Sequence, residues 1–276
     1  MKYNGMLQNS GTRTISITSG KGGVGKTTLT ANLALRLSQT GNKVLIFDGD
    51  LGMANVDILY GVKAEGNIYD VLMGDKTIQE VTIEVAKDVF LIPGGSGVLE
   101  FNNLTGFQRR SMIEAVGSLP QDFDYMLIDT APGIAENVLY LNAAAQSIAV
   151  VITPDPASLA DSYALIKVLH QKYKENKFSI ICNNVRDEAE GAGLYQRFND
   201  VVNKFLYIGL DYWGSVPMDP ILRKATQMNR LIMRHDMTAE SAKAIKNLSL
   251  QIENSGHKII TKGGLQMFWE QVVGVA

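Results

Sequence analysis

Gly20-Lys21-Gly22-Gly23-Val24-Gly25-Lys26-Thr27-Thr28 stands between an apolar run, Thr14-Ile15-Ser16-Ile17-Thr18, and a helical pattern from Lys26 to Ser38 that Gly41 ends. Strand, glycine loop and helix in that order form a phosphate-binding turn. Glycines let successive backbone N–H groups converge on phosphate oxygens. The helix that follows aims its own N-terminal N–H groups at the same anion.

Two patterns fit the loop. Gly20-x-Gly22-x-x-Gly25 matches a dinucleotide-binding turn, and Asp48 ends the next strand near the distance for a ribose contact. Gly20-x-x-x-x-Gly25-Lys26-Thr27 matches a triphosphate loop, in which Lys26 bridges the β- and γ-phosphates and the Thr27 hydroxyl ligates Mg²⁺. Lys26-Thr27 directly after the last glycine is needed only by the second. So is the apolar strand Met126-Leu127-Ile128-Asp129, which ends in a carboxylate able to hold Mg²⁺ through water. The expected ligands are ATP and Mg²⁺.

Working outward, apolar runs alternate with helical patterns. Strands are expected at 14–18, 43–48, 88–92, 125–129, 147–153, 178–182 and 207–216. Helices are expected at 26–38, 136–145, 158–174, 191–204, 219–228 and 238–253, with a further one opening at Thr105, where Gln108 completes a capping box. Continuous rather than alternating apolar runs mark strands buried on both faces. The expected fold is therefore α/β, a doubly wound and mainly parallel sheet with helices on both faces. A flexible 1–12 precedes a single ATPase domain over 13–254. A linker over 255–264 leads to an amphipathic helix over 265–276.

With 276 residues, 46% of them hydrophobic, the chain can bury one large core. A net charge of -2 gives no overall basic character, so a dominant nucleic-acid surface is not implied. The one cysteine, Cys182, lies in an apolar run and reads as a buried thiol in a reducing compartment. Met1–Gly11 lacks an apolar signal core, and no apolar run is long enough to span a bilayer. The expected location is the cytoplasm, with the inner membrane surface in reach.

Lys21, an extra lysine at the start of the loop, makes the sequence resemble the deviant Walker A ATPases, the family of MinD, ParA and the nitrogenase iron protein. The resemblance implies an ATP-dependent homodimer in which Lys21 reaches the partner's nucleotide, as an arginine finger does. Lys21, Lys26 and Asp50 then form the catalytic set, Asp50 positioning the attacking water. The metal set is Thr27 and Asp129, with Asp48 supporting Mg²⁺ from behind. Asp48-Gly49-Asp50-Leu51-Gly52 is similar to the first switch, and Asp129-Thr130-Ala131-Pro132-Gly133 to the second. Asn183 matches the base-reading asparagine, with Asn184 as the adjacent alternative. Val216-Pro217-Met218-Asp219 resembles the loop that packs on the base edge, through Pro217 and Asp219. An iron-protein-type reductase would need bridging cysteines, and Cys182 does not supply them.

Within the family, Leu51–Asp57, Ser158–Leu169 and Gly264–Val273 resemble the FlhG (FleN) branch, which regulates flagellar number and placement. That branch implies a flagellar GTPase, FlhF, or a flagellar transcription activator as partner. No glutamine-bearing activator motif is legible in 1–12, where Gln8 stands alone, so activation of FlhF is not implied. The division-site positioning of MinD and the DNA partitioning of ParA are the alternative roles.

Leu265, Phe268, Trp269, Val272 and Val273 fall on one helical face. Two roles suit that face. One is an interfacial membrane anchor, to which Lys258 and Lys262 add attraction for anionic lipid. The other is docking on the chain's own domain. The expectation is docking in the monomer and release in the ATP dimer.

Overall fold

The computed structural model describes residues 11–255, except Gly52, 96–103 and positions 106–107, 109–110, 112–114, 117–118 and 120–122. The expected tail residues, Leu265, Phe268, Trp269, Val272 and Val273, and the linker beyond residue 255 lie outside the described residues, as do residues 1–10.

Eight strands form one sheet in the order β3-β4-β2-β5-β1-β6-β7-β8. They are β1 Arg13–Thr18, β2 Val44–Gly49, β3 Ile83–Ala86, β4 Val89–Ile92, β5 Tyr125–Thr130, β6 Ser147–Ile152, β7 Phe178–Val185 and β8 Leu210–Pro217. All pair in parallel except β3, which runs antiparallel to β4. The described helices are α1 Lys26–Gln39, α2 Val56–Tyr60, α3 Ile68–Met73, α4 Ile78–Val81, α5 Glu136–Ala144, α6 Pro156–Tyr173, α7 Glu188–Leu206, α8 Pro220–Gln227, α9 Ile232–His235 and α10 Glu240–Ser255. Between β4 and β5, Gln108, Ser111, Ala115 and Val116 are also helical. The Thr105–Gln108 capping box is present there in both directions, at 2.9 and 3.3 Å.

Successive strand residues feed opposite cores, the period-two geometry of a sheet buried on both faces. Ile15, Ile17, Val44, Ile46 and Leu127 pack with α1, α2, α9 and α10. Leu45, Phe47, Met126 and Ile128 pack with α3, α4 and α5, and Ile148, Val150, Ile152 and Ile180 with α6 and α7. The expected doubly wound architecture is the observed one. Among the described residues no helix is long and apolar enough to cross a membrane.

Several boundaries move. β7 does not stop at Cys182 but runs to Val185, so Asn183 lies inside a strand. β8 begins at Leu210 rather than at residue 207, because α7 continues to Leu206 and Tyr207 is its left-handed C-cap, at φ 58°. α10 includes Ser255, one residue into the expected linker. The span 50–86 carries three short helices and β3, none of them expected.

Candidate nucleotide site

The parallel strands bring their carboxyl ends to one edge of the sheet, and the sequence places the loops of interest there. β1 runs out into Ser19 and the 20–25 loop, and α1 opens at Lys26. Gly25, at φ 95°, holds the left-handed angle that turns the chain into α1. A β-carbon on it would lie 2.5 Å from Asn183 Nδ2. Gly20 is needed for a different reason. A β-carbon there would fall 2.0 Å from the Asp161 backbone, so α6 passes directly over it.

Lys26 is buried, and its ammonium donates to Ser19 Oγ at 2.9 Å. Burial lowers its pKa, while the charges of Asp129 and then Asp50 oppose that shift. Among the described residues it forms no ion pair. A buried cation hydrogen-bonded to a neutral hydroxyl is a socket for an anion.

Asp48 and Asp129 stand side by side, paired in register on β2 and β5, and both are buried. Asp48 accepts from the N–H groups of Asp50 (3.2 Å), Asn55 (3.1 Å) and Val56 (3.2 Å). Asp129 accepts from the hydroxyls of Thr27 and Thr30. Burial first, then the Asp129 charge, pushes Asp48 up to about 8. Burial is also the main cause that pushes Asp129 up to about 6. Two buried carboxylates that resist ionising together are the chemistry a divalent cation relieves. With Thr27 they fit Mg²⁺, which takes few protein ligands and keeps several waters.

The two switch segments meet this floor. Asp50 is half-buried near Lys26, and Gly49 packs against Leu141 and the Asp129 carbonyl. Gly133 donates its N–H to Ser19 O at 2.9 Å, and Thr130 donates to Thr18 Oγ1 at 2.9 Å. The second switch is thereby tied to the strand that carries the phosphate loop.

Lys21 behaves differently from Lys26. Its side chain is 40% exposed and bonded to Asp155, the N-cap of α6. That bond, followed by the Ala157 N–H, holds the Asp155 carboxyl below its ordinary range. Asp155 was not expected as a site residue. Its neighbour Pro156 marks a helix start in the sequence, but nothing there points to Lys21.

Beside the loop lies a cavity of about 560 Å³, lined among others by Gly23, Val24, Thr153, Asn184, Arg186 and Met218. Asn183 sits just beneath, 5% exposed, donating through Nδ2 to Val24 O at 2.7 Å. Among the described residues its Oδ1 has no partner. That unpaired acceptor suits an exocyclic amine, and the exposed Asn184 lines the cavity itself. Pro217 and Asp219 do not line it. Asp219 is occupied as the cap of α8, accepting from the Ile221 N–H and from both the N–H and hydroxyl of Ser241. Met218, between them, lines the cavity.

A family model described as an AAA domain matches residues 12–180. The antiactivator FleN of Pseudomonas aeruginosa is 32% identical over 94% of this chain and 92% of that protein. The chain is a ParA/MinD-type ATPase. Among further relatives of this ParA/MinD-type chain, the flagellum site-determining protein YlxH of Helicobacter pylori is 34% identical over 95% of this chain and 90% of its own length. The septum site-determining protein MinD of Pyrococcus horikoshii, solved with Mg-ADP, superposes with a TM-score of 0.72 at 28% identity, over 90% of this chain and all of that one.

Proposed function

We propose that this ParA/MinD-type chain binds ATP with Mg²⁺, dimerises on it, and regulates the number and placement of flagella. The observation that carries the nucleotide part is the floor of the site: buried Lys26 beside the strained pair Asp48 and Asp129. The likeness to FleN and YlxH over nearly the whole chain supports the flagellar role.

Lys26 and the loop N–H groups from Gly20 to Thr28 bind the phosphates. Thr27, Asp48 and Asp129 would hold Mg²⁺, which supplies charge neutralisation on the phosphate oxygens. Asp50 orients the attacking water, and Asn183 reads the adenine amine through its unpaired Oδ1. Lys21 leaves Asp155 and reaches the nucleotide of a second copy. Turnover is slow until a dimer or partner completes the site, with Lys21 acting in trans. The flagellar GTPase FlhF and a flagellar transcription activator are the proposed partners. The protein works in the cytoplasm and reaches the inner membrane face through 265–276. The similarity to a septum-determining MinD favours division-site placement as the second reading.

Two experiments test this. Lys26→Ala should abolish ATP binding measured by calorimetry, and retained binding at wild-type affinity contradicts the site. Deleting the gene should change the number of flagella per cell at normal cell length. Minicells with normal flagellation would support division-site placement instead.

A further inference from the structure

At the end of the sheet opposite the nucleotide site, α7 finishes in an arrangement that packing does not require. Its inward stripe, Leu194, Phe198, Val202 and Leu206, is buried. Its outward residues Val201 and Phe205, one turn apart, are nonetheless apolar, and Phe205 is 60% exposed. Tyr207 follows at 88% exposure and at φ 58°. A side chain in the left-handed region strains the backbone, and glycine or asparagine normally closes a helix there. The aromatic ring kept in that place is almost wholly in water.

Lysines lie at the same end of the sheet. Lys204 lies over the Phe205 ring at 5.5 Å, and Lys174 and Lys177 are exposed where α6 ends and β7 begins, at the same end of the sheet. Asp200 and Asp211 are the exposed acids beside it, and Asp200 accepts from Gln196. Exposed tyrosine and phenylalanine rimmed by lysine is the composition of a surface that enters a lipid headgroup layer. Position agrees. α10 ends at Ser255, whose hydroxyl is bonded to Arg13 at the amino end of β1. β8, which Tyr207 precedes, lies three strands away, about 15 Å. The chain beyond Ser255 therefore continues from the same end of the molecule.

We propose that Val201, Phe205 and Tyr207, with Lys204, form a second membrane-contact surface on the folded domain, whose occupant is an anionic bilayer. The tail over 265–276 would supply one contact and this patch would fix how the domain lies on the membrane. The inference rests on the membrane association proposed above.

The test is co-sedimentation of the full chain, with ATP and Mg²⁺, on phosphatidylcholine vesicles holding about one part in three phosphatidylglycerol. Tyr207→Gly is the informative variant, because glycine relieves the backbone angle. Its melting temperature should equal or exceed wild type while vesicle partitioning falls by about fivefold. Tyr207→Asn, also tolerant of that angle, should behave alike. Lys204→Glu should weaken binding to anionic vesicles and leave binding to pure phosphatidylcholine unchanged. Wild-type partitioning by both Tyr207 variants would overturn the patch. Increased partitioning would also overturn it, since the surface would then be covered by the chain's own tail or by another protein. If deleting 265–276 abolishes binding while Tyr207→Gly has no effect, the membrane reading survives and this inference falls. If wild type itself fails to sediment, both fall.

Discussion

Two lysines, three and eight residues beyond the end of β1, sit in opposite settings. Lys26 is sunk beside Asp129 and bonded to a hydroxyl, whereas Lys21 lies at the surface in the grip of Asp155. The first is a fixed part of a phosphate floor. The second is available to a neighbour once Asp155 releases it. Asp155→Asn keeps an N-cap side chain for α6 but removes the charge. A surface ion pair is a weak restraint, so the ATP concentration that half-saturates dimer formation should drop by only about two- to fivefold. Light-scattering titrations check this, and an unchanged midpoint would mean that Asp155 does not restrain Lys21. The carboxylate pair makes a pH prediction. Asp48, at about 8, and Asp129, at about 6, are protonated in the free fold at pH values where the unfolded chain has lost those protons. The native state therefore binds more protons than the unfolded state, and stability falls as pH rises from about 4 towards 8. Differential scanning calorimetry of the ligand-free protein should show these groups lowering the melting temperature over that range. Mg²⁺ with nucleotide should remove most of the dependence, because it favours the ionised pair. A melting temperature that rises steadily to pH 8 without ligand would contradict the assignment.

Elements differ in how plainly the sequence announced them. α1, α6, α7 and α10 run for 14 to 19 residues with helical spacing, and the central strands are unbroken apolar runs. Both signals survive without knowledge of the tertiary structure. α2, α3, α4 and α9 are four to six residues long, too short for a period to be visible. Two of them did leave a local mark, in the capping boxes Asn67–Asp70 and Thr77–Glu80. At the site, the phosphate loop and the Asp48 and Asp129 strand ends were legible because their chemistry depends on residues close in sequence. The Lys21–Asp155 contact spans 134 positions and was not. Nor was the occupation of Asp219, whose hydroxyl partner Ser241 comes from another helix. The loop offers a test at this scale. Gly25→Ala combines a disfavoured φ with a clash against Asn183 Nδ2. It should destabilise the fold by about 1–3 kcal/mol in urea melts and weaken nucleotide binding more than it weakens folding. Wild-type stability together with wild-type ATP affinity would show that the loop angle is not needed.

The proposed roles fall at two ends of the sheet. The carboxyl edge of the sheet gathers the phosphate loop, both switch segments and Lys21. The amino edge carries the exposed Phe205 and Tyr207 and the point from which the chain continues past Ser255. A nucleotide-controlled dimer would connect them, since pairing doubles any weak contact at the far end and makes membrane residence depend on ATP. Everything in that account turns on Lys21 acting across a dimer that hydrolysis by way of Asp50 undoes. The most direct measurement is the solution mass by multi-angle light scattering, with and without ATP and Mg²⁺. The Asp50→Ala protein should move from the monomer mass of 30.2 kDa to about twice that on addition of ATP and stay there, and adding Lys21→Ala to it should hold it at the monomer mass. An Asp50→Ala protein that binds ATP yet remains at 30.2 kDa, or that dimerises equally well without Lys21, would contradict the account.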